Sequence, residues 1–344
     1  MLTVQIVLFD GFDLLDAIAP YEVFSAAAMY AENALSVEFV TAEGPRFVTS
    51  GINGLKVEAS GRLNPELAGI IVVPGAAGDV EGDGPDSIPA IMARALNTEL
   101  TGMIGQALGQ QGIVIATVCG GSLLLAMGGL LEGRPAVTHH LGMDLLGATG
   151  AVPVPARVVD DGGLVSGGGV TSGLDVALYL LERELGPRIA HAVERLFEFE
   201  RRGTVWRDTG RAPSPHKPWS GDEPNIAADK TPMAPDSPHD TVTHASIFDG
   251  DWDTAIATPV GKLQVRLSIS TRNGVIQGKA TQGNETVVFL NPELQDNKLT
   301  WSLQITKPMR LNLKFEVTAG EDYMTGVARA GILPASKLTG KRVS

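Results

Sequence analysis

The sequence predicts a doubly wound α/β domain followed by a smaller all-β domain, and three observations predict it. Up to about residue 202, short continuous apolar runs alternate with longer helical ones. A proline-rich stretch follows, and from about residue 246 apolar residues recur at every second position. The length agrees: 344 residues exceed one ordinary core, since domains run to about 100–200 residues.

In chain order, TVQIVLF reads as a buried strand and PYEVFSAAAMYAENA as a helix whose first turn holds Pro20. SVEFVTA and GIIVVPGA read as strands, PAIMARALNTELTGMIGQALGQQ as one long helix, and GIVIATV as a strand running into CGGSLLLAMGGLL. β-Branched runs separated by helices are what a parallel sheet covered on both faces requires. SGGGVTSG fails the G-x-G-x-x-G spacing because Ser172 stands at the last glycine, so it reads as a tight strand-to-helix turn before LDVALYLLERELG.

Residues 204–245 read as a linker. RDTGRAPSPHKPWSGDEPNIAADKTPMAPDSPHD holds seven prolines and few apolar residues, too little to bury for a core, although Trp206 or Trp219 could lie on a neighbour. In the last segment, Leu263, Val265, Leu267 and Ile269 alternate with polar residues, as do Leu299, Trp301, Leu303 and Ile305, and then Met309, Leu311, Leu313, Phe315 and Val317. Period two means half-buried antiparallel strands, and Asn273-Gly274 between two runs is a hairpin signal. The expected organisation is 1–203, linker 204–245, and a barrel or sandwich over 246–344.

Charge and composition exclude several classes. Residues 1–200 carry 9 Lys+Arg against 24 Asp+Glu, and residues 201–344 carry 18 against 15. An acidic domain followed by a dispersed slight excess of base gives no nucleic-acid footprint. The first basic residue is Arg46, so no signal peptide is read, and no apolar run reaches the roughly 18–20 residues of a membrane span. A single cysteine allows no internal disulfide. A cytoplasmic protein acting on a small molecule is the expectation.

That cysteine lies in IATVCGGSLLLA, where a buried strand meets a helix. Such a turn sits at the carboxyl edge of the sheet, where doubly wound folds bind ligands. The helix N-terminus is expected to favour thiolate at Cys119, and Gly120 and Gly121 suit a sharp turn. On this context alone a buried structural cysteine is an equal reading. In VLFDGFDLLDAIAPYEVF, the carboxylates Asp10, Asp13, Asp16 and Glu22 crowd the same edge. One of them can be kept protonated near a thiolate and donate a proton, although Asp16 also reads as a helix cap. In VVPGAAGDVEGD, the N–H groups of Gly75 and Ala76 can face a developing charge, or the stretch is an ordinary loop. His139 and His140 are adjacent and their side chains are expected to diverge. No acidic or cysteine cluster with ligand spacing accompanies them, so no metal is expected. His216, His239 and His244 read as solvated, and Gly261-Lys262 lacks the glycine a phosphate loop needs.

Together these stretches resemble the class I glutamine amidotransferase-like superfamily, in particular its PfpI branch. ATVCGGSLLLAMGGLLEGRPAVTHH and ARVVDDGGLVSGGGVTSGLDVALYLLERELG are most similar to isonitrile hydratases and to the ligand-binding half of related transcription regulators. The resemblance spans residues 1 to about 200 and implies a flavodoxin-like fold. It implies Cys119 as nucleophile, Asp16 as its acidic partner in D-x-x-x-P spacing to Pro20, Ala76 and Gly120 N–H groups as anion donors, and His139 near the pocket; His140 reads as surface. No cofactor and a homodimer are implied as well. Gly120 departs from the threonine of isonitrile hydratases and from the histidine of peptidase-like members, so no Cys-His pair forms at the turn. The regulator likeness stops at the C-terminal segment, whose period of two is not helix-turn-helix. The implied activity is hydration of an isonitrile to an N-substituted formamide. The alternatives are a ligand-binding or redox-sensing module using Cys119, or another thiol-dependent hydrolase or glyoxalase-like activity.

Overall fold

A computed structural model of the chain describes residues 1–32, 34–80, 84–212, 246–258, 261–272, 275–283, 285–295, 297–305, 311–330 and 335–343. The first domain opens with β1 (Leu2–Val7), α1 (Leu14–Tyr30) and β2 (Leu35–Thr41). A hairpin of β3 (Arg46–Thr49) and β4 (Lys56–Ala59), then β5 (Gly61–Arg62) and β6 (Gly69–Val73), follow. Next come α2 (Ile88–Leu96), α3 (Leu100–Ala107), β7 (Ile113–Thr117) and α4 (Gly121–Met127). The domain continues through β8 (Pro135–Ala136), α5 (Met143–Ala148), β9 (Val152–Pro153), β10 (Val158–Asp160), β11 (Leu164–Gly167), α6 (Ser172–Leu185) and α7 (Pro187–Phe197).

Seven strands form one sheet in the order β10-β11-β7-β6-β1-β2-β5. Every pairing in it is parallel except β10 with β11. The central strands are apolar on both faces; all five residues of β6 are buried. Helices therefore cover both faces, and the doubly wound, flavodoxin-like architecture follows.

Two local readings are corrected. The long helix over 89–111 is two helices, because Asn97 ends α2 and Thr98 holds the turn between them: its Oγ1 donates to the Ala95 carbonyl and accepts from Leu100 N–H. The helix containing Pro20 begins six residues earlier than that proline, at Leu14, so Pro20 lies in its interior. There it lacks the N–H that would bond the Asp16 carbonyl one turn before. The hairpin β3–β4 and the antiparallel strand β10 carried no signal that separated them from loops.

Trp206 lies on the first domain. Its N–H donates to the Val158 carbonyl and its carbonyl accepts from Asp160 N–H, both at 2.9 Å, while its ring packs against Val137, Val154 and Val159. The linker beyond residue 212, with Trp219 and the three histidines His216, His239 and His244, lies outside the described residues, as does Asn273-Gly274.

The second domain is β12 (Gly250–Thr258), β13 (Gly261–Arg272), β14 (Val275–Gln282), β15 (Glu285–Val288), β16 (Leu290–Gln295), β17 (Lys298–Ile305), β18 (Leu311–Ala319), β19 (Tyr323–Ala330) and β20 (Ser336–Arg342). All pairings are antiparallel, in the order β15-β14-β13-β12-β20-β19-β18-β17-β16. The run from Glu285 to Gln295 pairs first with β14 and then with β17, and Phe289 N–H donates to the Gly278 carbonyl. The sheet thus curls on itself as a near-closed barrel. The alternating positions fill it: Val265, Leu267, Ile269, Leu299, Trp301, Leu303, Leu313, Phe315 and Val317 are buried. The Phe289, Trp301 and Phe315 rings stack at its centre, with centroids 4.4 and 4.8 Å apart. Among the described residues no helix is long and apolar enough to cross a membrane.

Candidate active site

Cys119 stands one residue beyond Val118, just past the end of β7. Its backbone is left-handed at φ +54°, a conformation that costs a β-substituted residue about 1–3 kcal/mol and persists only where the surroundings impose it. Three hydrogen bonds do so. Val118 N–H donates to the Val73 carbonyl and Cys119 N–H to the Gly167 carbonyl, both at 3.1 Å, tying the turn to the strands on either side. Thr138 Oγ1 donates to the Cys119 carbonyl at 2.8 Å. Gly121 lets the chain leave the turn: a Cβ there would lie 2.1 Å from the Val73 carbonyl oxygen. Thr138 went unnoticed in the sequence; its only signal is its place beside His139 in VTHH.

Asp16 comes from the first turn of α1 and is fully buried. It does not cap that helix: Asp13 does, its carboxylate accepting from Leu15 and Asp16 N–H. Asp16 Oδ2 accepts from Gly75 N–H at 2.9 Å, while Oδ1 has no hydrogen-bond partner. Burial, reinforced by the charge of Asp13, pushes the Asp16 carboxyl up to about 8, against the opposing Gly75 N–H and Cys119 thiol. A neutral acid at pH 7 is the consequence, with Oδ2 engaged and Oδ1 available to carry the proton. Of the other carboxylates at this edge, Asp10 pairs with Arg46 at 3.0 Å and Glu22 is exposed.

Two expectations are corrected here. The helix N-terminus does not deliver a thiolate: burial, then the Asp16 charge, hold the Cys119 thiol well above the usual range, and the Gly120 N–H opposes them without prevailing. The helix it would have drawn on, α4, spans only 7 residues. Gly75 N–H is committed to Asp16, so it supports the acid rather than facing a developing charge.

Cys119 opens into a cavity of about 400 Å³ with mostly apolar walls, among them Met92, Leu123, Met127, Leu145 and Val170. Asp13, Ala76, Gly120, Thr138 and His139 also line it, so of the predicted residues only Asp16 and Gly75 stand behind the wall. His139 is half-buried, its Nδ1 accepts from Leu141 N–H, and burial holds its imidazole below its ordinary value. The His139 and His140 rings do not diverge; their centroids are 4.3 Å apart. No group of three or more His, Cys, Asp or Glu side chains that could hold a metal occurs among the described residues. A larger hollow of about 1070 Å³ beside α6 and α7 is lined by charged side chains such as Glu182, Glu194 and Arg201, with no Cys or Ser.

A buried acid and a thiol on a strained turn, before a mostly apolar cavity with backbone donors, can perform addition to a small electrophile. An isonitrile hydratase from Pseudomonas putida is 46% identical over 85 residues, covering 25% of this chain and 37% of that protein. The chain thus spans little more than a third of that relative's length in the match. An uncharacterized protein in the cpoL 5' region of Streptomyces lividans is 33% identical over 138 residues, 40% of this chain and 86% of that one. Among solved structures, a ThiJ/PfpI family protein from Pseudomonas syringae aligns with a TM-score of 0.49 at 24% identity, over 58% of this chain and 76% of that one. The DJ-1/PfpI family model matches residues 2–183, more than half of the sequence, and the chain belongs to that family.

Proposed function

We propose that the first domain is an isonitrile hydratase-like lyase, acting through Cys119 and Asp16. The observation that carries this reading is the pairing of a neutral buried acid with a cysteine on a strained turn that opens into an apolar cavity. The partial identity to a named isonitrile hydratase supports the choice of electrophile. An isonitrile has no hydrogen-bond donor and carries its reactive carbon at the tip, and its substituent suits the apolar walls.

In the first step Asp16 gives its proton to the terminal isonitrile carbon while Cys119 sulfur bonds to that carbon. The thiol proton passes to the carboxylate left behind, giving the thioimidate Cys–S–CH=N–R. Asp16 then protonates the imine nitrogen, and its carboxylate takes a proton from water as the water oxygen adds to carbon. Collapse breaks the C–S bond, the hydroxyl proton returns through Asp16 to sulfur, and the N-substituted formamide leaves. The Ala76 and Gly120 N–H groups steady the oxygen during collapse. A thiol raised by burial fits this scheme, because deprotonation is coupled to attack.

The test is loss of the isonitrile infrared stretch from a simple aliphatic isonitrile, with Cys119→Ala as control. Formamide formation in wild type and none in the variant is expected. An unchanged isonitrile with both aliphatic and aromatic compounds would overturn the reading.

A further inference from the structure

The glycine after the nucleophile has a structural counterpart on α2. A Cβ placed on Gly120 would lie 2.7 Å from Met92 Cε, with Gly75 Cα at 3.5 Å and Ala76 N at 3.7 Å. Met92 is buried and lines the Cys119 cavity. Its thioether methyl therefore fills the space a side chain at position 120 would claim, beside the two backbone donors. Of the atoms around that space, the backbone of Gly75 and Ala76 is fixed by the Asp16 and Phe12 contacts. Met92 is an unbranched side chain with three rotatable bonds, so its tip is the part that yields. A methionine here also presents no hydrogen-bond donor, which keeps this end of the cavity apolar.

We propose that Met92 is the specificity-determining residue of this cavity, setting the size of the apolar substituent that can accompany an electrophile to Cys119. Met92 and a side chain at 120 compete for one volume, which links the two positions. Shortening residue 92 opens the cavity next to the nucleophile. Adding a side chain at 120 displaces the methyl and narrows it. The inference rests on the hydratase reading only in identifying the substituent as the N-substituent of an isonitrile; the geometry applies to any electrophile entering the cavity.

The experiment measures Cys119 alkylation by N-methyl- and N-benzyl-iodoacetamide at alkaline pH by intact mass. It uses the full chain and its Met92→Ala, Met92→Leu, Gly120→Thr and Met92→Ala/Gly120→Thr variants, alongside hydration of methyl and benzyl isonitrile. The benzyl-to-methyl rate ratio is expected to rise about tenfold in Met92→Ala, the scale on which pockets read small changes in apolar bulk. It should fall in Gly120→Thr and return toward wild type in the pair. Met92→Leu keeps most of the core volume and removes the terminal methyl, so it carries the test if the alanine variant does not fold. Ratios unchanged in whichever Met92 variants melt cooperatively overturn the proposal. A shifted alkylation ratio in a protein that hydrates no isonitrile removes the hydratase reading and leaves Met92 in its role. Cysteine-dependent hydration with unchanged ratios does the reverse.

Discussion

Asp16 is the residue on which the chemistry and the stability of the first domain oppose each other. Its carboxyl titrates at about 8 in the fold against an ordinary 3.8. Between those values the unfolded chain has released a proton that the folded chain keeps. The folded state then binds more protons, so stability falls as pH rises through this window and levels off above about 8. Asp16→Asn removes that dependence. Melting temperatures of the two proteins are expected to be close near pH 4 and to diverge toward pH 8, with the variant higher by an amount corresponding to on the order of a few kcal/mol. The same substitution removes the proposed proton donor, and isonitrile turnover is expected to fall by about 10²–10⁴. Wild-type turnover should decline above about pH 8 as the acid ionises, a decline absent from the variant's residual rate. A variant as active as wild type would take Asp16 out of the mechanism.

At the scale of elements, the turn between β7 and α4 positions Cys119, and it depends on close contact with β6. Gly121→Ala would bring a Cβ to 2.1 Å from the Val73 carbonyl oxygen, a backbone atom that cannot rotate away. The expected loss is about 2 kcal/mol or more, in the range of overpacked cores, measured by urea denaturation, with slower Cys119 alkylation in the native protein. The entry to α1 shows how far local rules reach. A helix was legible there from apolar content, and an acidic residue at its start was legible as a cap or a proton donor. Which carboxylate caps and which is buried depends on the approach of the Gly75 loop, and that is not written in α1. Likewise PAIMARALNTELTGMIGQALGQQ has continuous helical propensity, yet Thr98 turns the chain by bonding the Ala95 carbonyl.

At the scale of the whole molecule, the buried residues of the two domains join in one apolar cluster, and α5 of the first domain contacts β18 of the second. The barrel's core is centred on Trp301, stacked between Phe289 and Phe315, with an indole N–H that has no partner. Trp301→Ala is expected to cost the barrel about 3–5 kcal/mol, seen as a lowered thermal transition, while the rate of Cys119 alkylation stays unchanged. A parallel loss of alkylation would mean that the two domains unfold as one unit. The homodimer implied by the family resemblance is a proposal at this scale. Light scattering is expected to give twice the 36.1 kDa of the chain, and a monomer at micromolar concentration would reject it.

By itself the sequence determined the two sheet types, because a parallel sheet covered on both faces needs continuous apolar strands and a half-buried antiparallel one needs period two. It also located Cys119, since a strand-to-helix turn is a contiguous pattern of strand, cysteine and glycines. What it could not contain was the environment of each ionisable group. Asp16 becomes a neutral acid because α1, the Gly75 loop and the Cys119 turn enclose it, and Gly75 lies 59 residues from Asp16 along the chain. The same enclosure reverses the thiolate expected from the helix end, because desolvation in a closed fold outweighs the opposing N–H of Gly120. Met92 meets Gly120 only across the folded cavity. Ionisation and cavity shape are sums over neighbours in space, and only the tertiary structure decides who those neighbours are.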